Sequence, residues 1–407
     1  MNRQVLDRKG EICSMNGYNI YRAKWVLPLF RPPIEDGAVV VSNGKIIKVD
    51  TYADISEKGI QGKWVDLGER AILPALVNAH THLELSALKG LKADNFVHWL
   101  KSVIEAKQKL NKKDFKTAEH KAYKMLRQTG TGLVGNVRNF LSLSDNKDNI
   151  SEVNLLEFLG FNQKTAEIRW STWKMFLDTH PAFIPSAHAP YSVHPQFLPK
   201  IKQLAEDRNQ IFSIHVAESQ AEVEFLLTGK GALKDLLIEK KLWDENFKVP
   251  QKRPIAYLES LGVLNPKTLC VHCVEVDERD ASILQKYGVK VCLCPRSNAY
   301  LGLNTAPWLL FKKMGISLCL GTDSRASNTD LNLFKEMAYL LDYGPFSPSE
   351  LLEMATWRGS MALGQGHKFG VLFPGTMARF LALPVKGKNL AEAVILAGAQ
   401  GEITWIE

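Results

Sequence analysis

The 407 residues carry 51 Lys and Arg against 43 Asp and Glu, a formal net charge of +8 with histidine neutral, and 45% of them are hydrophobic. That balance excludes a disordered chain and a collagen-like repeat, and six cysteines are too few to staple a chain of this length with disulfides. No stretch reaches the roughly 18 uninterrupted apolar residues of a membrane helix; the opening MNRQVLDRKGEICSMNGYNIYR has no apolar signal core, so a cytoplasmic protein with reduced thiols and no membrane partner is expected.

Met1 to about Leu73 reads as short strands and turns. Val39-Val40-Val41 and Ile46-Ile47-Lys48-Val49 flank Asn43-Gly44, a strong hairpin signal. The same all-β character returns in Val371-Leu372, Arg379-Phe380-Leu381-Ala382 and Ile403-Thr404-Trp405-Ile406. The two chain ends, residues 1–72 and 367–407, are therefore expected to build one small β-sandwich domain. Residues 101–127 hold nine Lys or Arg against three acids, while Val103, Ile104, Leu110, Phe115, Tyr123 and Leu126 recur at roughly helical spacing. The lysines read as solvated helix faces. No zinc finger or aromatic-basic pattern accompanies them, so no nucleic-acid partner is expected.

Between the two ends, eight short apolar runs alternate with polar or helical stretches: 71–77, 132–137, 153–159, 183–187, 211–216, 268–273, 289–293 and 316–320. Eight β-then-α units predict an α/β protein, a (β/α)8 TIM barrel over residues 73–366. Active sites of such barrels sit where the strands end. Here the residues past the runs are rich in ligand-type side chains: His80, His82 and Glu84 after the first, His188 and Tyr191 after the fourth, His215 and Glu218 at the fifth. His272 follows at the sixth, Arg296-Ser297-Asn298 after the seventh, and Asp323 after the eighth.

His80 and His82 are two residues apart, so on an extended strand both imidazoles point to one face and can share a metal. Alone, the pair is equally compatible with two surface histidines. His215, His272 and Asp323 at three further strand ends turn the pattern into a metal constellation, and N/O ligands suit zinc, with Fe(II) as the alternative. Glu218, three residues past His215, falls near the metal but off the ligand set, as a candidate proton donor. His272 and Asp323 are candidates for base and electrostatic stabiliser. Cys270-x-x-Cys273 and Cys292-x-Cys294 resemble a zinc-ribbon spacing, but strand geometry turns 270 and 273 to opposite sides, so these cysteines read as buried apolar residues. Lys230 to Pro254 is expected to overhang the metal as a lid or specificity loop, a surface helix plus linker being the plainer alternative.

Taken in order, Pro74 to Glu84 (PALVNAHTHLE), His188-Ala189-Pro190-Tyr191-Ser192, His215-Val216-Ala217-Glu218, His272, Pro295-Arg296-Ser297-Asn298 and Gly321-Thr322-Asp323-Ser324 resemble the amidohydrolase superfamily, in its cytosine-deaminase-like branch of ring deaminases and chlorohydrolases. The resemblance implies that His80, His82, His215 and Asp323 ligate the metal and that His272 lies close to the bound water. Binuclear members carry a carbamylated Lys where this chain has His188, which implies one divalent ion per chain; Glu157 is open to bridging two metals or to pairing with a neighbouring polar group. By similarity, His188, Tyr191, Arg296, Ser297 and Asn298 shape the substrate pocket. Glu84 is open to orienting His82 or binding a sugar hydroxyl, and Trp99 to stacking on a base or packing against the barrel. Within the branch the motifs most resemble aminodeoxyfutalosine deaminases of menaquinone synthesis; adenosylhomocysteine-type deaminases carry a Glu in the Phe-x-x-Trp segment where Val97 and His98 stand here. A chlorohydrolase or cyclic-amide hydrolase is the alternative chemistry. A small-molecule substrate is implied, and homodimers are common in the family.

Overall fold

The computed structural model describes residues 17–142 and 148–406, together with a short ladder between Val5–Leu6 and Ile12–Cys13. Eight strands carry the central architecture: β1 (Leu76–Thr81), β2 (Thr131–Arg138), β3 (Ser151–Phe158), β4 (Phe183–Ala187), β5 (Phe212–Val216), β6 (Thr268–His272), β7 (Lys290–Leu293) and β8 (Ser317–Leu320). Strands β1 to β4 form one parallel sheet and β5 to β8 a second. Both faces of such strands are covered, which is why they read as continuous apolar runs instead of alternating ones. The ladders stop at the two seams, where single bonds take over. His215 N donates to His188 O at 2.9 Å, and Thr322 N and Asp323 N both donate to His80 O at 3.1 Å. Each seam therefore lies at a candidate ligand.

Inside the two sheets, Val77, Ala79, Leu133, Val137, Leu155, Leu269 and Val271 pack with Cys292, Cys294 and Cys319. Cys270 and Cys273 belong to the outer core against the helices, so the four paired cysteines do not converge; all five described cysteines are buried. Three helices border the upper rim: α1 (Phe96–Lys109), α2 (Lys112–Gln128) and α3 (Ala232–Glu239). The basic run lies on α1 and α2, whose opposite faces bury Phe96, Trp99, Val103, Phe115, Tyr123 and Leu126. Among the described residues no helix is long and apolar enough to cross a membrane.

The chain ends meet in one seven-stranded sheet, from Tyr18–Val26, Ile34–Ser42, Lys45–Thr51, Gly62–Asp66 and Arg70–Pro74 with Phe380–Pro384 and Thr404–Ile406. Asn43 and Gly44 hold φ of 51° and 70°, the two positive values a tight hairpin turn requires. The sheet curls until its edge meets the C-terminal segment, with Ile46 N bonded to Thr376 O and Ala378 N to Gly44 O. A single curled sheet thus stands where a two-layer sandwich is expected. The first apolar run is also divided. Arg70–Pro74 pairs antiparallel with Phe380–Pro384, and the parallel sheet begins only at Leu76.

Candidate metal centre

Three imidazoles and a carboxylate converge above the inner core. His215 Nε2 lies 3.1 Å from His80 Nε2 and 3.2 Å from His82 Nε2, and Asp323 Oδ1 is 3.7 Å from both His80 and His82 Nε2. All four residues are buried. His215 Nδ1 donates to His188 O at 2.8 Å, which fixes its tautomer and leaves Nε2 as a lone pair. Burial, with the neighbouring His80, holds His82 and His215 well below the usual imidazole range. Imidazole nitrogens turned on one another, beside a carboxylate oxygen, are what a divalent cation satisfies, and His80, His82 and Asp323 form one candidate metal-holding group. The residues present fit such an ion.

Asp323 presents Oδ1 to the imidazoles because Oδ2 is occupied. Ser297 Oγ donates to it at 2.8 Å and Ser327 Oγ at 2.6 Å. Burial pushes this carboxyl up, but hydrogen bonding to His80 and the charges of His82 and His272 prevail, holding it well below the carboxylate range. On the far side, His272 Nε2 stands 3.4 Å from Glu218 Oε1, and Asn298 Nδ2 lies 3.2 Å from His272 Nδ1. Burial, reinforced by Asp323 and Glu222, lifts Glu218 well above the carboxylate range. Glu222 accepts the backbone N–H of Glu218 at 3.0 Å. The strand ends carrying these groups are bent: Ala217, His272, Cys273 and Asp323 hold φ of 53°, 72°, 51° and 55°, a region non-glycine residues enter at a cost.

A cavity opens over the cluster. Its floor includes His82, His188, His215, Glu218, His272 and Asp323, and Trp99 and Tyr191 stand in its wall. The roof is apolar, Leu100, Val103 and Ile104 of α1 facing Leu233, Leu236 and Leu237 of α3. Of residues 230–254, Leu233, Leu236, Leu237, Lys240 and Leu242 line this cavity, whereas 246–250 and 252 line a separate one; α3 and the residue after it are tied to α1 by Lys101–Glu239 at 2.9 Å and Glu105–Lys240 at 2.8 Å.

The expected substrate contacts divide. Trp99, His188 and Tyr191 line the cavity, whereas Glu84, Arg296, Ser297 and Asn298 do not. Arg296 is drawn away to Asp330 and Glu336, Ser297 is consumed by Asp323, and Asn298 by His272. Glu84 sits outside the cavity lining, with Oε1 accepting Asn139 N–H at 2.7 Å and Oε2 without a hydrogen-bond partner among the described residues. Sequence reasoning missed Ser327, Glu222, Asn139 and Lys107. Ser327 and Glu222 each stand four residues beyond a candidate site residue, the one signal that could have raised them.

The profile of the amidohydrolase family matches residues 71–401. A 5-methylthioadenosine/S-adenosylhomocysteine deaminase of Syntrophobacter fumaroxidans is 29% identical over 389 residues, 88% of this chain and 82% of the relative. One of Pyrococcus abyssi is 27% identical over 376 residues, covering 86% and 82%. Among solved structures, aminofutalosine deaminase of Helicobacter pylori in complex with methylthio-coformycin superposes with a TM-score of 0.81 at 24% identity, covering 93% of this chain and 95% of that one. A zinc-bound adenosine deaminase from Xanthomonas campestris gives 0.76 at 22%, covering 95% and 90%. These likenesses to solved structures show the shared fold, a TIM-barrel domain.

Proposed function

This chain belongs to the amidohydrolase family, and from that membership we propose that it is a metal-dependent deaminase of adenine nucleosides, with 6-aminodeoxyfutalosine of menaquinone synthesis as the preferred substrate. As a member it is a hydrolase acting on carbon–nitrogen bonds. The observation that carries the reading is the pairing, in one cavity, of three facing imidazole nitrogens and Asp323 Oδ1 with a buried Glu218 that stands 3.4 Å from His272 Nε2. A relative named 5-methylthioadenosine/S-adenosylhomocysteine deaminase, matched over 82% of its length, supports it.

His80, His82, His215 and Asp323 would hold one divalent ion, zinc in the first instance, whose Lewis acidity makes water a competent nucleophile near neutral pH. Glu218 keeps its proton through burial and delivers it to the ring nitrogen next to the carbon under attack. His272 carries its proton on Nε2, since Asn298 Nδ2 donates to Nδ1, and faces the attacking side as donor and stabiliser. Asp323 Oδ1 is the acceptor for the water proton. That proton passes through Glu218 to the amino group, which departs as ammonia, and the hydroxyl proton on the attacked carbon returns to Glu218 as the carbonyl forms. Trp99, His188 and Tyr191 hold the ring, and the apolar roof excludes bulk water. A division into residues 1–72, 73–366 and 367–407 is part of the same proposal.

Zinc-loaded protein is incubated with aminodeoxyfutalosine, adenosine, methylthioadenosine, adenosylhomocysteine, guanine and cytosine, following ammonia and the ultraviolet spectrum, with Asp323→Asn as control. Asp323-dependent ammonia release from the adenine nucleosides is expected. Silence across the panel with metal bound overturns the reading.

A further inference from the structure

Glu157, at the end of β3, is a buried acid that the scheme above leaves without a task. Its side chain is 1% exposed, yet it lines the cavity beside His82 and His215. One oxygen is anchored, because Asn139 Nδ2 donates to Oε2. That amide cannot flip: Lys107 Nζ donates to Asn139 Oδ1 at 2.8 Å, and an ammonium group has no lone pair to accept with. Glu84 Oε1 fixes the backbone of Asn139 from behind. The other oxygen of Glu157, Oε1, has no hydrogen-bond partner among the described residues. His215 Nδ1 stands 3.5 Å away, but its proton is already given to His188 O.

A buried carboxyl oxygen held in one orientation and left bare is costly unless a ligand completes it. The ligand atoms of His82, Glu157 and His215 lie close enough together to hold an ion. An ion bound among His80, His82, His215 and Asp323 uses the Nε2 atoms of His82 and His215, and His215 Nδ1 is protonated, so beside Glu157 at most one nitrogen is left, too few ligands for a second ion. A hydrogen-bond donor on the substrate does fit. Within an adenine nucleoside the donors are the amino group, which is the group expelled, and the sugar hydroxyls.

We propose that Glu157 Oε1 accepts a hydrogen bond from the 2′- or 3′-hydroxyl of the substrate's sugar, with Asn139 and Lys107 as positioning residues that aim it. This contact rests on the nucleoside reading above. It makes Glu157, not Glu84, the residue that senses the sugar.

The test compares adenosine with 2′,3′-dideoxyadenosine. Binding is measured by calorimetry on zinc-loaded protein in a Glu218→Gln background, where the nucleoside persists, and turnover on the chain with Glu218 intact. Adenosine is expected to bind about 10- to 100-fold more tightly, because the dideoxynucleoside leaves a buried carboxyl oxygen without a partner, and Glu157→Leu is expected to bind the two equally. Loss of discrimination is a readout that mere packing damage does not produce, since both ligands would then weaken together. Equal binding of the two nucleosides before any change at Glu157, or discrimination that survives Glu157→Leu, overturns the contact while ammonia release keeps the deaminase reading. Glu157-dependent discrimination without ammonia release from the intact chain overturns the deaminase reading and supports the contact. Failure to bind either nucleoside overturns both.

Discussion

Removing the two hydroxyls that hold Asp323 is expected to loosen the metal before it loosens the fold. Ser297 and Ser327 both donate to Oδ2, at 2.8 and 2.6 Å, and all three side chains are buried. A hydrogen bond to a charged acceptor contributes about 1.5–3 kcal/mol, and 1.4 kcal/mol corresponds to about a factor of ten. Either Ser→Ala change is therefore expected to weaken zinc retention about 10- to 100-fold, because a carboxylate released at Oδ2 can rotate Oδ1 away from the imidazoles. The double variant is not the product of the singles. The first deletion leaves a second donor on the same oxygen, whereas the second leaves that oxygen bare in a buried site, so the larger loss falls on the second step. Competition against a chelator of known affinity reads the dissociation constant, and a urea unfolding curve of the metal-free protein reports the fold separately. A folded double variant that retains zinc within twofold of the parent refutes the reasoning and returns Asp323 to an unaided ligand.

Three further outcomes are expected. Burial lifts the Glu222 carboxyl from 4.5 to about 8 against the pull of its backbone hydrogen bonds from Glu218 and Ala217. Its stabilising contribution is thus complete below 4.5 and lost as pH climbs through about 8; relative to Glu222→Gln, metal-free protein should lose stability across that window, and parallel curves in urea unfolding would contradict this. Exposed ion pairs contribute only about 0.2–1 kcal/mol each and are screened by salt, so Glu105→Lys, or 1 M salt, should raise KM about two- to fivefold through the α1–α3 tie with kcat nearly unchanged; a fall in kcat instead would place the tie in the chemistry. Chelation should lower the melting temperature and abolish turnover, and zinc at about 100 times its dissociation constant should restore about 2.7 kcal/mol of stability by mass action; a melting curve indifferent to chelator would remove the ion from the folded state.

The convergence of His80, His82, His215 and Asp323 was legible because strand periodicity and strand ends are local properties. His80-x-His82 shares a face by the two-residue period, and each further candidate closes its own apolar run. The division of the first run was not legible, since a uniformly buried stretch carries no mark of which sheet it joins. Pro74 leaves the curled sheet and Leu76 enters the parallel one without any change in hydrophobicity. Arg296, Ser297 and Asn298 are consecutive and were expected to act together, but the short helix Pro295–Tyr300 fans them out to Asp330, Asp323 and His272. Likewise the link from Lys107 through Asn139 to Glu157 joins residues on α1, after β2 and in β3, and only the packed fold brings them within reach.

The bent strand ends set the order in which heat dismantles the molecule. Left-handed backbone at Ala217, His272, Cys273 and Asp323 stores about 1–3 kcal/mol apiece, and the surrounding hydrogen bonds must hold it in place. The inner core below carries no such debt. Warming should release the rim first, so ammonia production fails several degrees before ellipticity does, and Ala217→Gly, which relieves one bend, should narrow that interval.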